Sequence, residues 1–167
     1  MIVMGIDPGP KSSAWAVVEC TQYSIPRWVA KAYASNADLD LDLLWSLHGC
    51  GLLAVETSGE SVLFGMTPQA MRSRAQQLAR TNMVAGLLLG EAKNMGLPLI
   101  EVPAPVSRRS IGGRANCSDA IIKRALAITT RNMPRQTNSH TRDAAAAAIV
   151  GWRMAGSVDQ TECITCD

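Results

Sequence analysis

Two short apolar runs, Ile2 to Ile6 and Leu52 to Val55, each end on an acid, Asp7 and Glu56, and a third segment opens on Thr137, Asn138 and Ser139 before running through five consecutive alanines. An apolar run of this length closed by Asp-Pro-Gly or Thr-Ser-Gly reads as a buried strand that ends where the turn begins. Alanine is the best helix former, and Thr, Asn and Ser are residues that cap a helix start, so the third segment reads as a helix beginning near His140. His140 and Asp143 are three apart and share one face of that helix. A run of alanines also removes bulk, which lets the helix lie close to a sheet and brings Asp143 toward Asp7. Carboxylates gathered this way repel one another unless a cation sits among them, and an oxygen-rich site of this kind suits magnesium or manganese. Taken singly, Asp7 and Glu56 are loop acids, Asp143 complements a helix dipole and His140 is a cap. Their joint placement on three element ends points to a divalent-metal site and so to phosphodiester chemistry.

The chain has 167 residues, 47% of them apolar, which fits a single core and a single domain. No stretch of 18 apolar residues occurs, and MIVMGIDPGPK lacks the basic region and cleavage site of a signal peptide, so no membrane span and a cytoplasmic location are expected. Cysteines 20, 50, 117, 163 and 166 are odd in number and scattered, and the one CxxC, Cys163 and Cys166, has no second ligand pair for zinc.

The formal charge of +2 conceals a division. Residues 1–60 carry three basic and seven acidic side chains, whereas residues 61–142 carry twelve basic and three acidic ones. Such segregation points to a polyanionic partner for the second part, and arginine dominates its basic set, a side chain whose planar fork matches phosphate. Solvated helix faces account for some of these charges.

Along the chain, Ala14 to Glu19 and Trp28 to Tyr33 read as two further strands forming an antiparallel meander with the first. Asp38 to His48 reads as a helix, Pro68 to Met95 as a long helix with proline in its first turn, Leu99 to Val102 as a fifth strand, Ser118 to Arg131 and His140 to Met154 as the last helices. Met71, Ala75, Leu78 and Ala79 form a helical stripe expected to face the core or a dimer partner. Residues 156–167 are expected to be a flexible tail, leaving residues 1–155 as the domain.

The order of these elements, together with GIDPG around Asp7, AVE ending on Glu56 and HxxDAxA carrying His140 and Asp143, resembles the RuvC family of Holliday-junction resolvases over about residues 1 to 155. The resemblance implies an α/β, ribonuclease H-like fold: a five-stranded mixed sheet flanked by helices. It implies that Asp7, Glu56, His140 and Asp143 are the catalytic set and bind two ions, Mg2+ with Mn2+ also supporting activity, for in-line hydrolysis leaving a 5′ phosphate and a 3′ hydroxyl. It also implies a homodimer that makes paired nicks in four-way junctions, with Phe64 in the loop after the glutamate strand stacking on an unpaired base. Lys11, Arg72, Arg74, Arg108, Arg109 and Arg114 are the cations expected against DNA. Bacterial members carry lysines where SRRSIGGRANCSD stands here, so in this chain arginine supplies the charge.

Three rival functions are set apart by sequence. Sugar kinase and actin-like ATPases share a DPG turn, but the second phosphate turn and the glycine-rich adenosine segment they need are not found here. A YqgF-like nuclease shares the three-acid plan but is shorter than this chain and lacks its long arginine-bearing helix. An inactive branched-DNA-binding protein would not need all four ligands.

Overall fold

The computed structural model describes residues 1–58 and 67–162, the last six of these by backbone alone. Five strands, β1 (Ile2–Asp7), β2 (Ser12–Thr21), β3 (Ser24–Ser35), β4 (Leu52–Thr57) and β5 (Leu99–Pro103), form one sheet in the order β3-β2-β1-β4-β5. β1, β2 and β3 make the antiparallel meander, and β4 and β5 continue the sheet parallel to β1. The five-stranded mixed sheet expected from the sequence is therefore present.

Alternation within the strands decides which layer each side chain enters. Val3 of β1 and Leu52 and Ala54 of β4 pack with the buried alanines of α5 (Ser139–Glu162). Met4, Ile6, Leu53 and Val55 point to the opposite face and pack with Leu41 at the start of α1 (Leu41–His48) and with Val84, Ala85, Leu88, Leu89 and Ala92 of α2 (Pro68–Asn94). Side chains two apart share a face, so Asp7 and Glu56 continue the rows that face α5.

The alanine helix lies close to the sheet, as its composition predicts. A Cβ on Gly5 would run into the backbone carbonyl of Ala144 and come within 2.8 Å of the Ala148 nitrogen, and one on Gly151 would come within 2.7 Å of the Ala54 Cβ. Gly5→Ala should therefore push α5 off β1 at a cost of about 3 kcal/mol, the upper end for overpacking a core. Urea unfolding checks this, and unchanged stability would mean that the helix can ride over the added methyl.

Several boundaries differ from the sequence reading. A helix not anticipated, α3 (Ala104–Gly112), sits in the SRRSIGGR segment. Pro105 in its first turn and Gly113 at its end, with φ of 82°, were its start and stop signals, but nine residues are too few for periodicity to stand out. α5 continues to Glu162 rather than ending near Met154. No proline interrupts residues 155–162, and a single glycine costs a helix only about 1 kcal/mol. α1 and α4 (Asp119–Thr129) start later than expected because Asp40 and Ser118 are their N-caps. In α2 all the buried positions fall in the second half, so Ala75 and Ala79 are exposed and Met71 and Leu78 only partly covered. No helix among the described residues is long and apolar enough to cross a membrane.

Candidate metal centre

Parallel pairing of β1 with β4 runs to Ile6 and Val55, immediately before the two acids, so the sheet register sets Asp7 beside Glu56. α5 supplies the third group. Its start is fixed by Asn138, whose side chain accepts from the Thr141 backbone nitrogen at 2.7 Å, and Asp143 immediately precedes the alanine that touches Gly5. Asp7, Glu56 and Asp143 each bring a carboxylate oxygen within 4.8 Å of the other two. Glu56 and Asp143 are buried, at 6% and 8% exposure.

His140, one turn before Asp143, lies at the rim. Its Nδ1 is 2.7 Å from Asp7 Oδ2, and its ring stacks on Tyr33 of β3 with centroids 5.7 Å apart. It is thus brought to the site through Asp7 rather than as a member of the three-carboxylate cluster. Arg108 of α3 reaches in from the other side, with Nη2 at 2.9 Å and 3.2 Å from the two oxygens of Asp143. The three carboxylates, His140 and Arg108 line a cleft of about 510 Å³ together with Pro8, Gly9, Arg74, Gln77 and Thr81.

The electrostatics are those of an overcrowded anion cluster. Burial, then the charges of Asp7 and Asp143, hold the Glu56 carboxyl well above the usual carboxylate range. Burial pushes the Asp143 carboxyl up to about 6 despite the Arg108 guanidinium, and repulsion from Asp7 adds to it. The hydrogen bond to Asp7 raises the pKa of His140. Three converging carboxylates, of which Glu56 and Asp143 are buried and held toward their neutral forms, are a donor set that a hard divalent cation fits.

A stability consequence follows from these shifts. A carboxyl whose folded pKa is raised binds more protons folded than unfolded, so it withdraws stability as pH climbs from its unfolded value toward its folded one. For Asp143, between 3.8 and about 6, that amounts to about 3 kcal/mol. His140 acts in the same direction: the stability it adds below its unfolded value is lost as pH passes its raised one. Metal-free protein should therefore lose thermal stability between pH 4.5 and 7.5, and manganese at a hundredfold excess over its Kd should restore about 2.7 kcal/mol at the upper end. Melting curves in chelator and in manganese test this; stability that rises with pH and ignores the ion would contradict it.

The other expected site residues are dispersed. Arg74 lines the cleft. Lys11, Arg72, Arg109 and Arg114 are exposed outside its lining, and Phe64 lies outside the described residues. Sequence reasoning missed Tyr33 and the pairing of Arg108 with Asp143. Only contacts across 107 and 35 residues of chain reveal them, and no local pattern encodes those.

No family model matches the sequence, and no curated protein matches it either. Solved structures do match. RuvC of T. thermophilus in complex with Holliday junction substrate aligns with a TM-score of 0.65 at 16% identity, covering 93% of this chain and 96% of that one. The yeast mitochondrial Holliday junction resolvase aligns at 0.57 and 13% identity, over 90% and 78%. The fowlpox virus Holliday junction resolvase aligns at 0.53 and 13% identity, over 95% and 99%. Aligned with these structures over 90% or more of its length, the chain has the ribonuclease H-like fold, its five-stranded mixed sheet flanked by helices, that these Holliday junction resolvases share.

Proposed function

We infer that the protein is a structure-selective endodeoxyribonuclease that resolves four-way DNA junctions by paired nicks. The observation that carries this is the convergence of Asp7, Glu56 and Asp143 at one end of the sheet, within a fold shared along almost its whole length with resolvases. Asp7, Glu56 and Asp143 would hold two divalent ions, magnesium or manganese, with His140 beside Asp7. Ions bound there supply activation of a water and neutralisation of charge on the leaving 3′ oxygen in an in-line displacement.

The protein's own groups do the rest. The sheet fixes Asp7 and Glu56, α5 fixes Asp143, and His140 steadies one oxygen of Asp7. Arg74 stands at the cleft wall within reach of a phosphate. Lys11, Arg72, Arg109 and Arg114 are free to neutralise backbone phosphates farther out, and Phe64 is assigned to stack on a base exposed at the junction centre. Removing any one of the four outer cations should lower the salt slope of DNA binding by about 0.9. An unchanged slope in a variant lacking all four would return them to the solvated surface.

Paired nicks need two catalytic centres, and the described residues form one three-carboxylate cluster. A second copy would supply the other. α2 offers a surface for it: Met83 and Leu87 are 62% and 67% exposed, and Gly86 and Gly90 beside them line a groove of about 1070 Å³.

The test is cleavage of labelled four-way, three-way and linear duplex DNA in magnesium. Symmetric nicks in the four-way junction with 5′ phosphate ends, and little cutting of linear duplex, are expected. Equal cutting of all three would leave a general nuclease, and binding without cutting would leave a junction-binding protein.

A further inference from the structure

We propose that Arg108 is a built-in counter-ion of the carboxylate cluster: a positioning residue that holds Asp143 while no ion is bound and competes with a divalent ion for it. The inference rests on the metal reading above. It concerns how that centre is loaded.

Arg108 is anchored independently of Asp143. Its Nη1 donates to the Cys117 carbonyl at 3.0 Å, and its Nη2 lies 3.1 Å from Asp119 Oδ1 at the start of α4. The Cys117 thiol reaches back to the Arg108 carbonyl at 3.6 Å. α3 and α4 are tightly apposed at this point, for a Cβ on Gly112 would come within 3.0 Å of Ile122 Cδ1 and collide with the Cys117 sulfur. The guanidinium is therefore fixed from the α4 side whatever Asp143 does.

On the other side its bonding is oversubscribed. Nη2 carries two hydrogens yet faces three carboxylate oxygens, one of Asp119 and both of Asp143, at 3.1, 3.2 and 2.9 Å. Asp143 can thus turn an oxygen toward an ion without leaving a donor unpaired. The pair is also partly desolvated, with side-chain exposures of 25% for Arg108 and 12% for Asp143, so its attraction is not screened away as a surface pair's would be. A cation that neutralises a ligand before the metal arrives stabilises the empty centre. It must then lower the apparent affinity for the ion.

Manganese binding to the full chain, measured by calorimetry, tests this without reference to activity. Arg108→Gln should bind Mn2+ about tenfold more tightly than wild type and show a larger manganese-induced rise in Tm. Arg108→Lys keeps the charge but loses the planar fork, and should be tightened by a smaller factor. It carries the test if the glutamine variant does not fold. Arg109→Gln removes the neighbouring, exposed charge and should change affinity by less than about twofold, which separates direct contact from the general field. Unchanged or weakened Mn2+ binding in the Arg108 variants, with wild type binding normally, would overturn the inference alone. Equal tightening in Arg109→Gln would overturn the direct contact. No Mn2+ binding by wild type would overturn the metal reading and this inference with it.

Discussion

Asp143→Asn and Asp7→Asn should each lower magnesium-dependent nicking of a four-way junction by about a thousandfold or more, a loss of about 4 kcal/mol of transition-state stabilisation. Each removes one of three carboxylates whose oxygens lie within 4.8 Å of one another, and an amide oxygen carries no charge with which to hold a hard cation. Junction affinity measured in chelator should change little, because the exposed arginines that would meet phosphate are untouched. Asp7→Asn should also make the metal-free protein more stable at pH 8, since it relieves repulsion that now raises the Glu56 pKa. Near-normal nicking by either variant would remove the cluster from the chemistry. Loss of nicking together with loss of fold, read by circular dichroism, would instead mark the acids as structural.

His140→Ala should cost about a hundredfold with either ion, the upper range for a group that orients a metal ligand. Its Nδ1 contact with Asp7 and its stacking on Tyr33 fix both the ring and the carboxylate. His140→Asp should retain substantial activity with magnesium, because it places a further carboxylate at the same helical position, where it can join the donors around an ion. The bond to Asp7 raises the His140 pKa, so wild-type activity should begin to fall at a pH above the ordinary 6.5 as the ring takes up a proton. Part of that acid sensitivity should vanish in His140→Asp. Full activity of His140→Ala in magnesium would reduce the residue to a helix-start histidine.

What the sequence made legible was what local chemistry encodes. Apolar runs ending on Asp7 and Glu56 announced buried strands, and the five alanines announced a helix that could approach them, so the three carboxylates could be named before any coordinates. The close contact at Gly5 was implied by the missing bulk of Ala144 to Ala148, though not by Gly5 itself, which read only as a position within the first strand. α3 escaped because a nine-residue helix with apolar Val106 and Ile111 among arginines and serines shows no clear stripe. Arg108 was expected against DNA because it stands where bacterial members of the resembled family carry lysines. Its pairing with Asp143 in the fold was not expected, and a contact across 35 residues is set by how α3 packs on α5. Tyr33 was assigned only to a strand, since its meeting with His140 depends on β2 and β3 pairing in the observed register. The sequence reading grouped His140 with the carboxylates as a ligand; the structure places it against Asp7, with its side chain 52% exposed.

Anomalous diffraction from crystals grown with manganese and a four-way junction would locate the ions directly. Two peaks about 3.5 to 4 Å apart, bounded by Asp7, Glu56 and Asp143 with a scissile phosphate beside them, are predicted. No peak within that cluster at saturating manganese, or one held only by other side chains, would contradict the assignment of these three carboxylates as the catalytic metal centre.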